Sequence, residues 1–78
     1  MLLKEAISER IIELCNTNNI TPNKLAELSS IPSTNMKDLI NKRINNPSTV
    51  IIYKICRTLN LEIKDFFDSE LFKNEFYD

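Results

Sequence analysis

The chain has 78 residues, a net charge of −1 and no histidine or glycine. This length allows one small domain, and the apolar runs are far shorter than the roughly 20 residues of a membrane-spanning helix. The sequence therefore predicts a protein outside the membrane, and because it shows no signal peptide we expect it in the cytoplasm.

Apolar residues at helical spacing predict a first helix whose buried stripe consists of Leu3, Ile7, Ile11 and Leu14. We expect this helix to end near Asn18 and Asn19, because asparagine tolerates the left-handed conformation that commonly closes a helix.

A second, short helix is predicted to begin at Thr21 and Pro22, since threonine is a good N-cap and proline suits the first helical position. Its apolar side consists of Leu25, Ala26 and Leu28. The segment from Ser29 to Pro32 interrupts the pattern. A third helix is then expected from about Ser33, with an inward face of Met36, Leu39 and Ile40.

After a loop over residues 42–47, Ser48 is predicted to cap a fourth helix with a broad buried face of Ile51, Ile52, Ile55, Cys56 and Leu59. Asn60 is expected to close it. A fifth helix is predicted from the apolar residues Ile63, Phe66, Phe67 and Leu71. The chain therefore reads as an all-α domain of five helices, with no competing strand pattern.

The two cysteines, Cys15 and Cys56, lie among isoleucines and leucines at helical spacing. With no histidine and no paired-cysteine motif they do not form a zinc site, and we predict no metal or cofactor. In a reducing cytoplasm we expect both to be free thiols of the core rather than a disulfide.

Charge is unevenly distributed along the chain. Residues 31–61 contain five Lys/Arg and one Asp/Glu, whereas residues 62–78 contain two and six. Salt screens surface charges over about 8 Å, so a local basic region can attract phosphate despite an acidic tail. The middle of the chain is therefore the candidate binding region.

From Ile20 onward the order of residues resembles the helix-turn-helix family of phage repressor, Cro and Xre-type regulators. The matching features are a hydroxyl cap with Leu-Ala in the second helix, an apolar end to the turn, inward apolar residues in the third helix, and a basic loop ending in Pro-Ser. They are supplied by Thr21, Leu25, Ala26, Ile31, Met36, Leu39 and residues 42–48, and the resemblance continues through Ile55–Leu61 and Ile63–Phe67.

This resemblance implies a compact five-helix, lambda-repressor-like fold that binds double-stranded DNA with its third helix in the major groove. The family usually has glycine in the turn after the second helix and again after the third, where this chain has Ser30 and Lys42. Either these residues adopt a strained positive φ, or the backbone is adjusted locally.

The family's base-facing positions fall on Ser33, Thr34, Lys37 and Asp38, and the helical wheel also turns the last three outward. Lysine can donate to guanine and aspartate can accept from cytosine. Phosphate contacts are expected from Thr21, Asn23, Asn41, Lys42 and Arg43. Each of these residues could also simply be a solvated polar side chain.

We expect residues 1–69 to form the DNA-binding domain and residues 70–78 an acidic, aromatic tail. Because the fold usually reads paired half-sites, a homodimer is predicted, with a possible contact through Leu71, Phe72, Phe76 and Tyr77. Alternatively, Leu71 and Phe72 complete the core of a single chain.

Two other function classes compete with a transcriptional regulator, which would most simply be a repressor from an AT-rich bacterial or phage genome. An enzyme is disfavoured, because no nucleophile with a base and no phosphate-binding loop is found. A protein-interaction adaptor, or an antitoxin-like protein that binds a partner, remains an alternative, because fold does not fix function.

Overall fold

A computed structural model describes residues 2–73 of the chain. It has five α-helices, α1 to α5, which span Leu3–Thr17, Pro22–Leu28, Ser33–Ile40, Thr49–Thr58 and Ile63–Phe66. A single 3₁₀ turn, Glu70–Phe72, follows them. No strand occurs in this part of the chain, which confirms the all-α prediction. None of the helices over residues 2–73 combines the length and apolar character needed to cross a bilayer.

Two of the helices begin with the side-chain caps that the sequence predicts. The hydroxyl oxygen of Thr21 accepts a hydrogen bond of 3.1 Å from the Lys24 amide, and Pro22 occupies the first turn of α2. The hydroxyl oxygen of Ser48 accepts from the Val50 amide at 3.1 Å. Both caps satisfy amides that have no partner within the helix.

Helices α1 to α4 all end in the same way, with a residue at positive φ. These residues are Asn19, Ser30, Lys42 and Asn60, with φ between 52° and 62°. In each case the next amide bonds back to the fifth residue before it, at 2.8 to 3.0 Å, which is the Schellman arrangement. Ser30 and Lys42 therefore adopt the strained conformation instead of shifting the backbone.

The core lies between α1 and the other helices and contains Ile7, Ile11, Leu25, Met36, Ile55 and Phe66 among its members. Cys15 and Cys56 are buried free thiols, as predicted. Burial raises the pKa of both thiols, and for Cys56 the Asp65 carboxylate raises the pKa further while Arg10 opposes it. Both sulfurs therefore stay protonated and act as small apolar groups.

Two predicted apolar faces need correction. Leu28, expected on the buried side of α2, is 54 % exposed, because it is the last residue of a helix of only seven residues. On α4, Ile51 and Leu59 are only half-buried, so the tightly buried part of its face is Ile52, Ile55 and Cys56.

The predicted fifth helix is shorter than expected. It ends at Phe66, where Arg10 donates to the carbonyl oxygens of Phe66 and Asp65 at 2.6 and 2.8 Å. Ile63 and Phe67 are 40 % and 37 % exposed, and Leu71 belongs to the separate 3₁₀ turn. After Phe66 the Asp68 amide bonds to the Asp65 carbonyl oxygen at 3.3 Å and the Ser69 amide to the Phe67 carbonyl oxygen at 3.1 Å, so short turns replace the bonds of an α-helix.

The 3₁₀ turn packs against α1 and the end of α5. The ring of Phe72 lies 4.9 Å from that of Phe67 and 6.2 Å from that of Phe66, measured between centroids. Leu71 is half-buried. Phe76 and Tyr77 lie outside the described residues.

Candidate nucleic-acid interface

Helices α2 and α3 form a helix-turn-helix with a groove of about 550 Å³ between the start of α2 and the outer face of α3. Six of the predicted site residues line it: Thr21, Asn23, Ser33, Thr34, Lys37 and Asn41. Pro22, Met36 and Ile40 supply the rest of its lining. The groove therefore combines an apolar lining with a polar rim.

The six polar residues of this groove are all solvent-exposed. Met36 and Leu39 are only 1 % and 3 % exposed, as the helical wheel predicts for the inward face of α3, and Met36 contributes to the lining of the groove from that buried position. The hydroxyl groups and the Lys37 ammonium can serve base edges or phosphates. The rotation of α3 about its axis is thus the one that the pattern of residues predicts.

The last turn of α3 is held by α1. Ser8, which is fully buried, donates a hydrogen bond of 2.8 Å to the carbonyl oxygen of Ile40. This bond satisfies one of the carbonyls that have no partner at the end of a helix. Ser8 was not among the predicted site residues. Its spacing, three residues before Ile11 and seven before Cys15, places it on the buried stripe of α1 and is the one sequence signal for this contact.

Asp38 lies at the edge of the candidate interface and not in the groove lining. Its side chain is 45 % exposed, and its carboxylate is 3.5 Å from the guanidinium of Arg43. The Arg43 amide also donates to the Asp38 carbonyl oxygen at 2.8 Å. A predicted base contact and a predicted phosphate contact are therefore paired with each other in the free protein.

The basic loop after α3 is exposed at Lys42 and Arg43. Further along it, the Lys4 ammonium donates to Asn45 at 2.8 Å, which ties the loop to α1. Lys24 on α2 adds an exposed cation that was not among the predicted site residues, although it is paired with Glu27 at 3.4 Å. Among residues 2–73, Lys37 is the one cation in the groove lining, while Lys24 and Lys42 each follow a lining residue in the sequence, Asn23 and Asn41.

The same part of the chain offers no sign of a metal centre. Within residues 2–73, no three His, Cys, Asp or Glu residues are grouped so that they could hold a metal ion. What the site provides is hydroxyl, amide, ammonium and guanidinium groups on one solvent-facing surface.

A compact helical domain with a helix-turn-helix and an exposed polar face on its second helix is the architecture of a DNA-binding domain. The profile of the Cro/C1-type HTH DNA-binding domain matches residues 10–70. The chain therefore belongs to this family of DNA-binding regulators, as the sequence resemblance predicts. No curated protein matches it significantly.

The fold is also similar to a solved structure, described as the crystal structure of the prophage Lp1 protein 11. The TM-score is 0.84 and the sequence identity is 29 %, over 96 % of this chain and all of that one. The similarity therefore extends over nearly the whole chain, beyond the helix-turn-helix itself.

Proposed function

We propose that this protein is a sequence-specific transcriptional repressor that inserts α3 into the major groove of double-stranded DNA. The observation that carries the proposal is the groove between α2 and α3, whose six exposed polar residues include three from the outer face of α3 and two from the start of α2. Base edges are read by groups on such a helix, and phosphates fix its position.

In this proposal Ser33, Thr34, Lys37 and Asp38 contact bases, while Thr21, Asn23, Asn41, Lys42 and Arg43 contact phosphates. Lys37 donates to guanine, and Thr34 contacts a thymine methyl group or a phosphate. The Thr21 hydroxyl and the Asn23 side-chain amide at the start of α2 suit phosphate oxygens, because both can donate hydrogen bonds.

A single domain of this size covers only a modest DNA surface, so we propose that it acts as a homodimer on two half-sites. Leu71 is half-buried and available in part to a second copy, whereas Phe72 is largely engaged by Phe66 and Phe67. The predicted contact through Phe76 and Tyr77 stays a prediction.

The test of sequence specificity is selection of binding sites from a random duplex library at near-physiological salt. We expect an enriched motif with paired half-sites. Placing that motif across a promoter should then lower transcription in a purified system when the protein is added. Enrichment of no motif would remove the proposal, and a rise in transcription would replace repression with activation.

Exposed apolar side chains favour a protein-interaction adaptor, or an antitoxin-like protein with a partner, as a second candidate. Leu28, Val50 and Tyr53 are 54 %, 60 % and 52 % exposed, which is high for large apolar residues on so small a domain. If the library selection enriches no motif, this second candidate becomes the better one.

A further inference from the structure

We propose that Asp38 is a positioning residue for Arg43, and that it weakens binding to DNA of the wrong sequence. The inference rests on the proposed function and adds to it a source of specificity. In the free protein the Asp38 carboxylate holds the Arg43 guanidinium at 3.5 Å, beside the end of α3.

The backbone turn after α3 brings the two residues together. Lys42 has a φ of 62°, and the chain then folds back so that the Arg43 amide bonds to the Asp38 carbonyl oxygen. In the equivalent turns after α1, α2 and α4, the residue in the place of Arg43 is apolar and at least half-buried; these residues are Ile20, Ile31 and Leu61. A Schellman turn commonly has an apolar residue at this place, which packs against the end of the helix. Among these four turns, only the one after α3 has an ion pair there, between Arg43 and Asp38.

The charges around the pair make Asp38 distinctive. It is the one acidic residue between residues 31 and 61, where five are basic. In the described part of the chain, the ammonium groups of Lys37 and Lys42 form no ion pair with a carboxylate. Arg43 alone in this stretch is restrained by a negative charge.

Binding to DNA changes what each partner of the pair contacts. When the Arg43 guanidinium moves to a phosphate, the Asp38 carboxylate is left close to a polyanion. A cytosine amino group in the major groove can satisfy that carboxylate, but most other base edges cannot. At a matching site both side chains therefore gain partners, whereas at other sequences the charge of Asp38 opposes binding.

The test compares the wild type with Asp38→Asn, which keeps the side-chain shape and removes the charge. Affinities are measured for the selected duplex and for a random duplex over a range of salt concentrations. Because exposed ion pairs are weak, we expect affinity for the random duplex to rise by about two- to fivefold. Affinity for the selected duplex should rise less or fall, so the ratio of the two affinities decreases.

Two further variants test whether the change in affinity caused by Asp38→Asn depends on Arg43. Glu27→Gln is the matched control, since it removes another exposed carboxylate that is paired with a cation on the helix-turn-helix. We expect it to leave the affinity ratio unchanged. In an Arg43→Gln background, Asp38→Asn should raise affinity for random DNA less than it does with Arg43 present, because only the repulsion between the carboxylate and the phosphates is then removed. Thermal unfolding of each variant checks that the protein is folded.

Three results would overturn the inference: an unchanged affinity ratio in Asp38→Asn, an equal change in Glu27→Gln, or the full Asp38→Asn effect without Arg43. With a wild type that still enriches a motif, each of these removes the role of Asp38 alone. A wild type that enriches no motif removes the proposed function and this inference together.

Discussion

Ser8 on α1 donates a hydrogen bond of 2.8 Å to the carbonyl oxygen of Ile40, the last residue of the proposed recognition helix. The two residues are 32 positions apart in the sequence. The first helix, which supplies none of the groove residues, therefore holds the end of α3 through this hydrogen bond.

Replacing Ser8 with alanine should lower the free energy of unfolding by about 1–3 kcal/mol, because a buried carbonyl loses its partner. It should also weaken binding to the selected duplex, since α3 is less well fixed. Ser29→Ala is the control, because Ser29 follows the last residue of α2 and the variant breaks its hydroxyl contact of 2.6 Å with Thr58 of α4. That variant should lose stability with little change in affinity for the selected duplex. Equal effects of both variants on that affinity would contradict a specific role for Ser8.

Replacing Ser30 or Lys42 with glycine should make the folded protein more stable. Each has a positive φ, and a residue with a Cβ costs on the order of 1 kcal/mol there. Ser30→Gly should therefore raise the melting temperature without affecting DNA binding. Lys42→Gly should raise it as well, but should weaken binding to all sequences through the lost ammonium.

The control for these glycine variants is Asn41→Gly, one position before Lys42, where φ is −87°. Glycine relieves no strain at this position and makes the unfolded chain more flexible, so the melting temperature should fall. A fall in Ser30→Gly as well would mean that the turn is not strained.

Local chemistry could be predicted from the sequence, and contacts between distant residues could not. The caps at Thr21 and Ser48 and the helix end at Asn19 follow from the residues next to them, as does the outward face of α3 around Lys37. The role of Arg10 does not, because it depends on carbonyls 55 and 56 residues away. The early end of α5 does not follow either, because Phe67 and Leu71 continue the helical spacing of apolar residues beyond it.

The ion pair of Asp38 and Arg43 falls between these cases. Both residues were predicted to contact DNA, and their spacing of five residues matches the Schellman turn that joins them. The pairing could not be predicted because the residue at position 42 is lysine and not glycine. The sequence therefore allows either a positive φ at this residue or a local adjustment of the backbone. A positive φ at a lysine could not be decided from the sequence alone.

Replacing Lys42 and Arg43 together with alanine should weaken binding to all DNA sequences by about the same factor, since phosphates carry no sequence information. The slope of log affinity against log salt should fall in magnitude by roughly 0.9 for each lost contact per subunit. The matched control is Lys64→Ala with Lys73→Ala, two exposed lysines outside the helix-turn-helix. An unchanged salt slope in the first variant would show that this loop faces away from DNA.

The full chain should sediment as a dimer at micromolar concentration. A chain that ends after Lys73 keeps Phe72 and its contacts with Phe66 and Phe67 but lacks the last five residues. If Phe76 and Tyr77 make the dimer contact, this shorter chain should be monomeric, whereas a contact through Leu71 should leave it dimeric. A full-length protein that remains monomeric at all accessible concentrations would contradict the predicted dimer.

A variant of Lys37 best distinguishes a sequence-specific DNA-binding protein from a protein-interaction adaptor, because this residue is exposed on α3 and lines the groove between α2 and α3. Lys37→Ala should lower affinity for the selected duplex by about 1–3 kcal/mol and change the preferred base at one position of each half-site. Binding to random DNA should change much less, since it depends mainly on phosphates. The melting temperature should hardly move, because Lys37 does not belong to the buried face of Met36 and Leu39. Met36→Ala is the matched contrast and should lower stability by about 2–5 kcal/mol, since it opens a cavity in the core. A Lys37→Ala protein that enriches the wild-type motif unchanged would mean that another residue of α3 reads that position.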